Sequence, residues 1–266
     1  MKEVRKLIGN IPISTVSIFA EKAESAKDIV FIHMSWGDAW IFALYMKFFA
    51  QAGYNCHALD LRGHGNSGGT VEGATMQDYV DDVRDVVRGL GIQNPIVIGH
   101  SMGGLIALMY SAQYGSSATV SLDGSPGLEA QKTNEEKTYP KSYTPTDSGM
   151  PTNPMKAMVA LPDIYPWRLM KMKKKLTVES GIARSERKRG ISVPKEKLGQ
   201  PLLFIGAEKG TSLPFGIGIE KARAQAKYYN APVVEIKNAS HPGLLIGKHW
   251  RESAQAILDW LRDNNL

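Results

Sequence analysis

The sequence is poor in the features that mark disulfide-bonded, exported and membrane-spanning proteins. It has one cysteine, Cys56, so an internal disulfide is excluded and no cysteine pair is available for zinc. No run of about 20 apolar residues is present, and the longest candidate, residues 96–110, is interrupted by His100, Ser101 and three glycines. The apolar stretch at residues 11–20 is too short and too broken for a signal peptide. We therefore predict a cytoplasmic chain without stable membrane insertion.

The sequence also lacks the common signatures of cofactor and nucleic-acid binding. No Gly-x-Gly-x-x-Gly turn lies at the first strand–helix junction, so a dinucleotide cofactor is not implied. No His-Glu-x-x-His run is present to bind a metal. The basic segment 156–197 lacks the interleaved aromatic residues of a single-strand nucleic-acid platform. We therefore predict no cofactor, no metal and no nucleic-acid partner.

Positive charge is concentrated in this basic segment. The chain carries a net charge of +6, and residues 156–197 alone contain twelve Lys or Arg and four Asp or Glu. The rest of the chain is therefore slightly acidic. We interpret the segment as a solvated helical face, with attraction of anionic substrates or of a lipid surface as the alternative.

What is present is the composition of a folded domain in which strands and helices alternate. Of the 266 residues, 43% are apolar and 22% are charged, which is ordinary for a chain with a sizeable core. Continuous apolar runs predict strands that are buried on both faces, as in a parallel sheet, and helical spacing predicts helices between them. The predicted strands are 13–19, 28–33, 54–60, 95–99, 118–123, 201–206 and 232–236, and the predicted helices are 40–51, 76–90, 102–113, 219–229 and 248–262.

The alternation stops between residues 124 and 199, where prolines and a basic, methionine-rich stretch replace apolar strands. Regular alternation on both sides indicates one α/β domain with an insertion. We predict a core formed by residues 1–124 and 198–266, and an inserted helical lid at residues 125–197. The methionines of the lid suit an adaptable apolar surface, and a plain folding role for them is the alternative.

The sharpest local signal is the sequence Gly-His-Ser-Met-Gly-Gly at residues 99–104, between a predicted strand and a predicted helix. A serine in such a strand-to-helix turn is forced into a strained backbone, which only small residues two positions before and after it allow. The turn exposes the hydroxyl at the start of the helix. We predict that Ser101 is a nucleophile; an ordinary glycine turn with a surface serine is the alternative.

A serine hydroxyl needs a base to take its proton, and histidine is the usual one. The six histidines are His33, His57, His64, His100, His241 and His249. His241 lies in a loop just after the last predicted strand, and in open parallel sheets ligands gather at such strand ends. We therefore predict His241 as the general base.

Together these residues resemble the α/β-hydrolase family over almost the whole chain. The resemblance is carried by residues 33–36 (HMSW), residues 60–67 (DLRGHGNS), the turn at 99–104 and His241. It implies an α/β-hydrolase fold, with a mostly parallel central sheet of about eight strands flanked by helices and a helical lid. Residues 60–67 look like the loop beside the active site in this family, and we expect them to be structural.

The resemblance also implies an oxyanion hole made of two backbone N–H groups. One would be that of Met102, directly after the nucleophile, and the other comes from the loop after His33. Most members have glycine next to this histidine, whereas this chain has Met34. Matching Trp36 to the usual aromatic spacing makes Ser35 the expected donor, with Met34 as the alternative.

The third member of the expected triad departs from the family pattern. The family usually carries an Asp after the strand predicted at 201–206, where this chain has Lys209 or Gly210, and neither can orient an imidazole. Asp123, at the end of another predicted strand, is the first candidate for the acid, because some relatives of this fold place it there. Glu208 is the second candidate, and a chain without a functioning acid is the third.

These residues predict a serine hydrolase that cleaves carboxylic esters through an acyl-enzyme, as a carboxylesterase or a monoacylglycerol-type lipase. The expected partner is a small ester with an apolar acyl group. One alternative keeps the triad for other chemistry, as in a lyase, a perhydrolase or a C–C bond hydrolase. Another is a binding or receptor protein with weak catalysis. The sequence indicates no oligomeric state.

Overall fold

The structure is a computed structural model that describes residues 2–20, 26–131, 134, 136–212 and 217–266. Both the predicted core and the predicted lid include a few residues outside these ranges. The strands, numbered in chain order, are β1 (Glu3–Ile8), β2 (Ile13–Ile18), β3 (Asp28–Ile32), β4 (Asn55–Leu59), β5 (Ile96–His100), β6 (Ala118–Leu122), β7 (Ser142–Tyr143), β8 (Glu179–Ser180), β9 (Leu202–Ala207) and β10 (Val233–Ile236).

Eight of these strands form one sheet in the order β1-β2-β4-β3-β5-β6-β9-β10. β1 pairs antiparallel with β2, and β2 pairs antiparallel with β4. Every other neighbouring pair of the sheet is parallel. Six strands of the sheet are therefore parallel to one another, namely β4, β3, β5, β6, β9 and β10. Their carboxyl ends meet along one edge of the sheet, where ligands bind in folds of this kind.

Helices cover both faces of the sheet. They are α1 (Ala43–Gln51), α2 (Met76–Gly89), α3 (Met102–Tyr114), α4 (Pro154–Ala160), α5 (Pro166–Lys175), α6 (Gly181–Arg189), α7 (Ile219–Tyr229), α8 (Gly243–Ile246) and α9 (Trp250–Asp263). Side chains alternate between the two faces along a strand, so Val30 and Phe31 of β3 belong to different apolar clusters. Phe31 packs with α1 residues such as Phe49, whereas Val30 shares its cluster with Val83 of α2 and Leu105 of α3.

The predicted central sheet of about eight mostly parallel strands flanked by helices is confirmed. One strand of the sheet, β1, was not predicted. It lies at the edge, pairs only with β2, and leaves most of its side chains exposed, so its sequence has no apolar run.

Between β6 and β9 the chain leaves the sheet; we call residues 123–201 the insert. It contains the helices α4, α5 and α6 and the two-residue strands β7 and β8, which pair antiparallel with each other. The basic, methionine-rich stretch forms α5, with Leu169 and Met172 buried and its lysines mostly exposed. The division into a core and a lid at residues 125–197 stays a prediction.

Candidate active site

The turn that carries Ser101 joins β5 to α3 and has the strained geometry that its glycines predict. Ser101 has φ 57°, a left-handed value that is uncommon outside glycine. A Cβ atom on Gly99 would lie 1.9 Å from the carbonyl oxygen of Gly103, and one on Gly103 would lie 2.2 Å from that of Ile32. Larger residues at these two positions would therefore break the turn.

His241 and Asp123 meet in a buried pair. Nδ1 of His241 and Oδ2 of Asp123 are 2.5 Å apart, and both residues are almost fully buried. Asp123 directly follows β6 and has φ 43°, whereas His241 lies in the loop between β10 and α8. The backbone N–H of Ala207, at the end of β9, donates to the second carboxylate oxygen of Asp123 (3.4 Å). The carboxylate therefore accepts from the His241 ring and fixes which nitrogen carries the proton.

The structure distinguishes between Asp123 and Glu208, the two candidates for the triad acid, by their contacts. Glu208 accepts a hydrogen bond from the backbone N–H of Asn238 (2.7 Å) and lies 3.7 Å from the Lys237 ammonium group. These contacts hold the pKa of Glu208 below its usual value, the Asn238 bond having the largest effect. His241 accordingly pairs with Asp123 and not with Glu208.

The other histidines close to the sheet have structural partners. His57 is bonded to Ser17 Oγ (2.8 Å) and to Asp28 (3.0 Å). The His100 ring lies against that of His241, with centroids 4.4 Å apart, and its Nε2 lies 3.1 Å from the His241 carbonyl oxygen. Burial, and then the neighbouring His241, lowers the pKa of His100 well below its usual value, so His100 stays neutral.

Ser101 and His241 line one cavity beside the turn. The other lining residues are apolar, and they are Met34, Trp36, Met150, Met172 and Pro242. The cavity measures about 320 Å³, a volume that includes space open to solvent. Among the described contacts no hydrogen bond joins Ser101 Oγ to His241. Catalytic hydrogen bonds are often long in the absence of substrate. The fact that Ser101 and His241 line the same cavity is therefore the observation that relates them.

The loop after β3 brings the side chains of Ser35 and Met102, whose backbone N–H groups are the expected oxyanion donors, into contact. The Ser35 hydroxyl lies 3.5 Å from the Met102 sulfur, so these residues are in contact. Met34 and Trp36 line the cavity, one on each side of Ser35 in sequence. Met102 is the first residue of α3, where backbone N–H groups have no partner within the helix. The contacts are compatible with Ser35 and Met102 as donors.

Sequence reasoning missed a buried charged cluster behind this loop. Glu179, the first residue of β8, has no exposed surface, and its Oε2 lies 3.4 Å from Nε2 of His64. Arg187 of α6 donates to Ser35 Oγ (3.2 Å) and to the Tyr143 hydroxyl (3.1 Å). We expected His64 only as part of a structural turn. Its partner is more than 100 residues away, so no local signal identifies the pair.

Among the described residues, no group of three or more histidine, cysteine or acidic side chains has the arrangement of a metal site. Within the same residues, no helix combines the length and the apolar character needed to cross a membrane.

The sequence model of the Alpha/beta hydrolase family matches residues 29–256, most of the chain. The chain belongs to the alpha/beta hydrolase family. The family assignment confirms the resemblance predicted from the motifs. It also agrees with a solved esterase from Exiguobacterium antarcticum, which superimposes with a TM-score of 0.75 over 98% of this chain and 100% of that one. The identity is 15%, so this likeness shows the fold alone.

Curated relatives within the family match over shorter stretches. A bifunctional esterase/perhydrolase from Acinetobacter calcoaceticus is 39% identical over 89 residues, 32% of each chain. A non-heme chloroperoxidase from Burkholderia pyrrocinia is 41% identical over 98 residues, 36% of this chain and 34% of that one. A monoacylglycerol lipase from Mycolicibacterium smegmatis is 38% identical over 87 residues, 31% of each chain. The match thus spans about a third of the length of each relative.

Proposed function

We propose that this alpha/beta hydrolase is a serine hydrolase that cleaves carboxylic esters through an acyl-enzyme. Ser101 is the nucleophile, His241 the general base and acid, and Asp123 the residue that orients His241. The observation that carries the proposal is the buried 2.5 Å contact between Asp123 and Nδ1 of His241 beside the strained serine turn. A carboxylate on Nδ1 leaves Nε2 free to accept the serine proton, which is the arrangement of a working triad.

The reaction proceeds in two halves. In the first, Nε2 of His241 takes the proton of Ser101 while Oγ bonds to the ester carbonyl carbon, and the collapsing intermediate releases the alcohol, which receives that proton. In the second, His241 takes a proton from water, the resulting hydroxide attacks the acyl carbon, and the carboxylic acid leaves as Ser101 regains its proton. The backbone N–H groups of Met102 and Ser35 stabilise the oxyanion in both halves.

The cavity favours an apolar acyl group. Apart from Ser101 and His241, its lining is formed by methionine, tryptophan and proline side chains. Two of these, Met150 and Met172, come from the proposed lid at residues 125–197, which would cover the acyl group. Flexible methionines fit acyl chains of different shapes. We therefore propose a carboxylesterase or a monoacylglycerol-type lipase acting on small esters in the cytoplasm, a proposal that fits the names of two of the relatives.

Hydrolysis of p-nitrophenyl esters of rising chain length, combined with fluorophosphonate labelling, tests the proposal. We expect turnover and a label on Ser101, and at least a roughly 10³-fold lower kcat with no label in Ser101→Ala. Ser111→Ala is the matched control, because it removes a buried hydroxyl of α3 that bonds to Thr119 and does not line the cavity. A wild-type chain that neither turns over nor labels would favour a binding protein.

Perhydrolysis is the second candidate, favoured by the relatives named as a perhydrolase and as chloroperoxidases. In this reaction hydrogen peroxide replaces water in the second half: it loses a proton to His241, attacks the acyl carbon and leaves as a peracid while Ser101 regains its proton. Peracid formation from an ester and peroxide, measured beside acid formation, separates the two. A perhydrolase is favoured if the fraction of product that is peracid is well above the fraction expected from the concentrations of peroxide and water alone.

A further inference from the structure

The loop after β3 holds Trp36 in a backbone conformation that bulky residues rarely adopt, with φ 64°. The insert binds three polar groups of this residue. The Trp36 carbonyl accepts from the backbone N–H of Thr177 (2.9 Å), the indole N–H donates to the carbonyl of Tyr143 (3.2 Å), and the backbone N–H donates to Oε2 of Glu179 (3.4 Å). A strained conformation persists only where its surroundings fix it, and here the insert supplies those contacts.

Of the three insert residues that bind Trp36, Glu179 also connects the loop after β3 to the rest of the molecule. Its Oε1 accepts from the Tyr79 hydroxyl on α2 (2.6 Å) and from the backbone N–H of Ser180 (2.7 Å). Its Oε2 faces both the Trp36 N–H and Nε2 of His64, each at 3.4 Å. The carboxylate therefore joins α2, the loop at residues 60–67, the insert and the loop after β3.

Cationic neighbours offset the charge of Glu179 in this cluster. Burial alone would raise the pKa of Glu179, but His64, Tyr79 and Arg187 lower it to about 2, so the group is ionised. Burial alone would lower the pKa of His64, but Glu179 raises it above its usual value. His33 lies next to His64, with ring centroids 5.0 Å apart, and its own lowered pKa keeps it neutral. An unbalanced carboxylate behind an oxyanion hole would oppose the charge that forms there.

We infer that Glu179 is a positioning residue for the oxyanion hole. It fixes Trp36, and through Trp36 it aims the backbone N–H of Ser35 at the oxygen that gains charge during catalysis. The inference rests on the proposed function. The insert would then have two roles: it covers the acyl group, and it sets the geometry of the loop after β3, which belongs to the core. Arg187 acts in the same direction by binding the Ser35 hydroxyl.

Glu179→Gln tests this inference, because glutamine keeps the shape of the side chain and removes its charge. A displaced oxyanion donor weakens transition-state binding more than substrate binding. We expect kcat for p-nitrophenyl acetate to fall about tenfold or more while KM stays within about twofold. The inhibition constant of a boronic acid, which becomes a tetrahedral anion on Ser101, should rise by a similar factor.

Asp28→Asn is the matched control. It removes the charge from another carboxylate–histidine pair, Asp28 with His57 at 3.0 Å, at the opposite end of β3 from the loop. A purely structural role for Glu179 predicts a loss of melting temperature in both variants and no difference in kcat between them. Tyr79→Phe is the second test variant, since it keeps the charge and removes the 2.6 Å bond that holds the carboxylate. We expect a smaller fall in kcat, again without a change in KM.

If Glu179→Gln and Tyr79→Phe both have the same kcat as Asp28→Asn, the inference is wrong and the proposed function still stands. If Glu179→Gln does not fold, Tyr79→Phe decides by the same comparison. A wild-type chain that neither hydrolyses the ester nor takes the fluorophosphonate on Ser101 would overturn both.

Discussion

At the scale of single residues, Gly210 leaves room for the proposed acid, Asp123. A Cβ atom on Gly210 would lie 2.8 Å from Oδ2 of Asp123, so the missing side chain provides the space that the carboxylate occupies. β6 and β9 are neighbours in the sheet, and their carboxyl ends therefore lie side by side. An acid after β6 reaches the same histidine as an acid after β9 would.

Asp123→Asn should lower kcat strongly, because the amide can donate to His241 and so favour the wrong tautomer. The corresponding change in another serine triad costs roughly 10⁴-fold, and we expect a fall of about 10²- to 10⁴-fold here. Glu208→Gln is the control, since Glu208 bonds to Asn238 and Lys237 instead. The measurement is kcat on one p-nitrophenyl ester. A larger loss in the Glu208 variant than in the Asp123 variant would reverse the assignment of the acid.

Gly210→Ala should displace the Asp123 carboxylate, because its new methyl group would also lie 2.9 Å from Cα of Gly218 and has no space of its own. We expect kcat to fall about tenfold, a partial form of the loss in Asp123→Asn. Gly199→Ala is the matched control, since a Cβ atom there meets nothing within 4 Å. Equal rates in the two variants would show that the Asp123–His241 pair tolerates the methyl group.

At the scale of elements, the sequence predicts what local patterns encode. The apolar runs predict β3 and β5, and the glycines at positions 99 and 103 predict the strained turn. β1 was missed because an edge strand exposes its side chains. The choice between Asp123 and Glu208 stayed open because both follow neighbouring strands, β6 and β9, and only the tertiary contacts of each carboxylate decide which one reaches His241. The pair of Glu179 and His64 is set by the path of the insert, and no local pattern records that path.

The helix α5 presents Met172 to the cavity, and this placement predicts an effect on chain-length preference. Met172→Ala removes three heavy atoms from a side chain that is 1% exposed, so the acyl cavity should lengthen. We expect the preferred p-nitrophenyl ester to shift by about two carbons towards longer chains. Met155→Ala on α4 is the control, because that side chain is 69% exposed. The same preference in both variants would place the acyl group elsewhere.

At the scale of the whole molecule, the candidate site is assembled from distant parts of the chain at one edge of the sheet. The turn after β5 carries Ser101, Asp123 follows β6, and the loop after β10 carries His241. The loop after β3 lies against the first residue of α3 through Ser35. Because these segments converge only when the whole sheet has formed, the site and the fold are expected to be lost together.

Buried histidines couple this folded state to pH. Burial, and then His64, lowers the pKa of His33 to about 4, and burial lowers that of His100 well below its usual 6.5. The unfolded chain therefore binds protons on both below about pH 6.5, whereas the folded chain does not, so stability falls as the pH falls. His64 has the opposite sign: its raised pKa stabilises the fold below about pH 6.5, and this contribution is lost as the pH rises through the folded value.

The two effects predict a maximum of stability near pH 6.5. Near pH 5 the unfolded chain holds about one more proton than the folded chain from His33, and the lowered pKa of His100 acts in the same direction, whereas His64 is protonated in both states. The free energy of unfolding should then fall by at least about 1 kcal/mol per pH unit. Below about pH 4.5 the ionised Glu179, with its pKa near 2, adds to the loss. Urea unfolding in steps from pH 8 to pH 4 measures this slope. A free energy of unfolding that stays level or rises between pH 6.5 and pH 5 would mean that these histidines are protonated inside the fold.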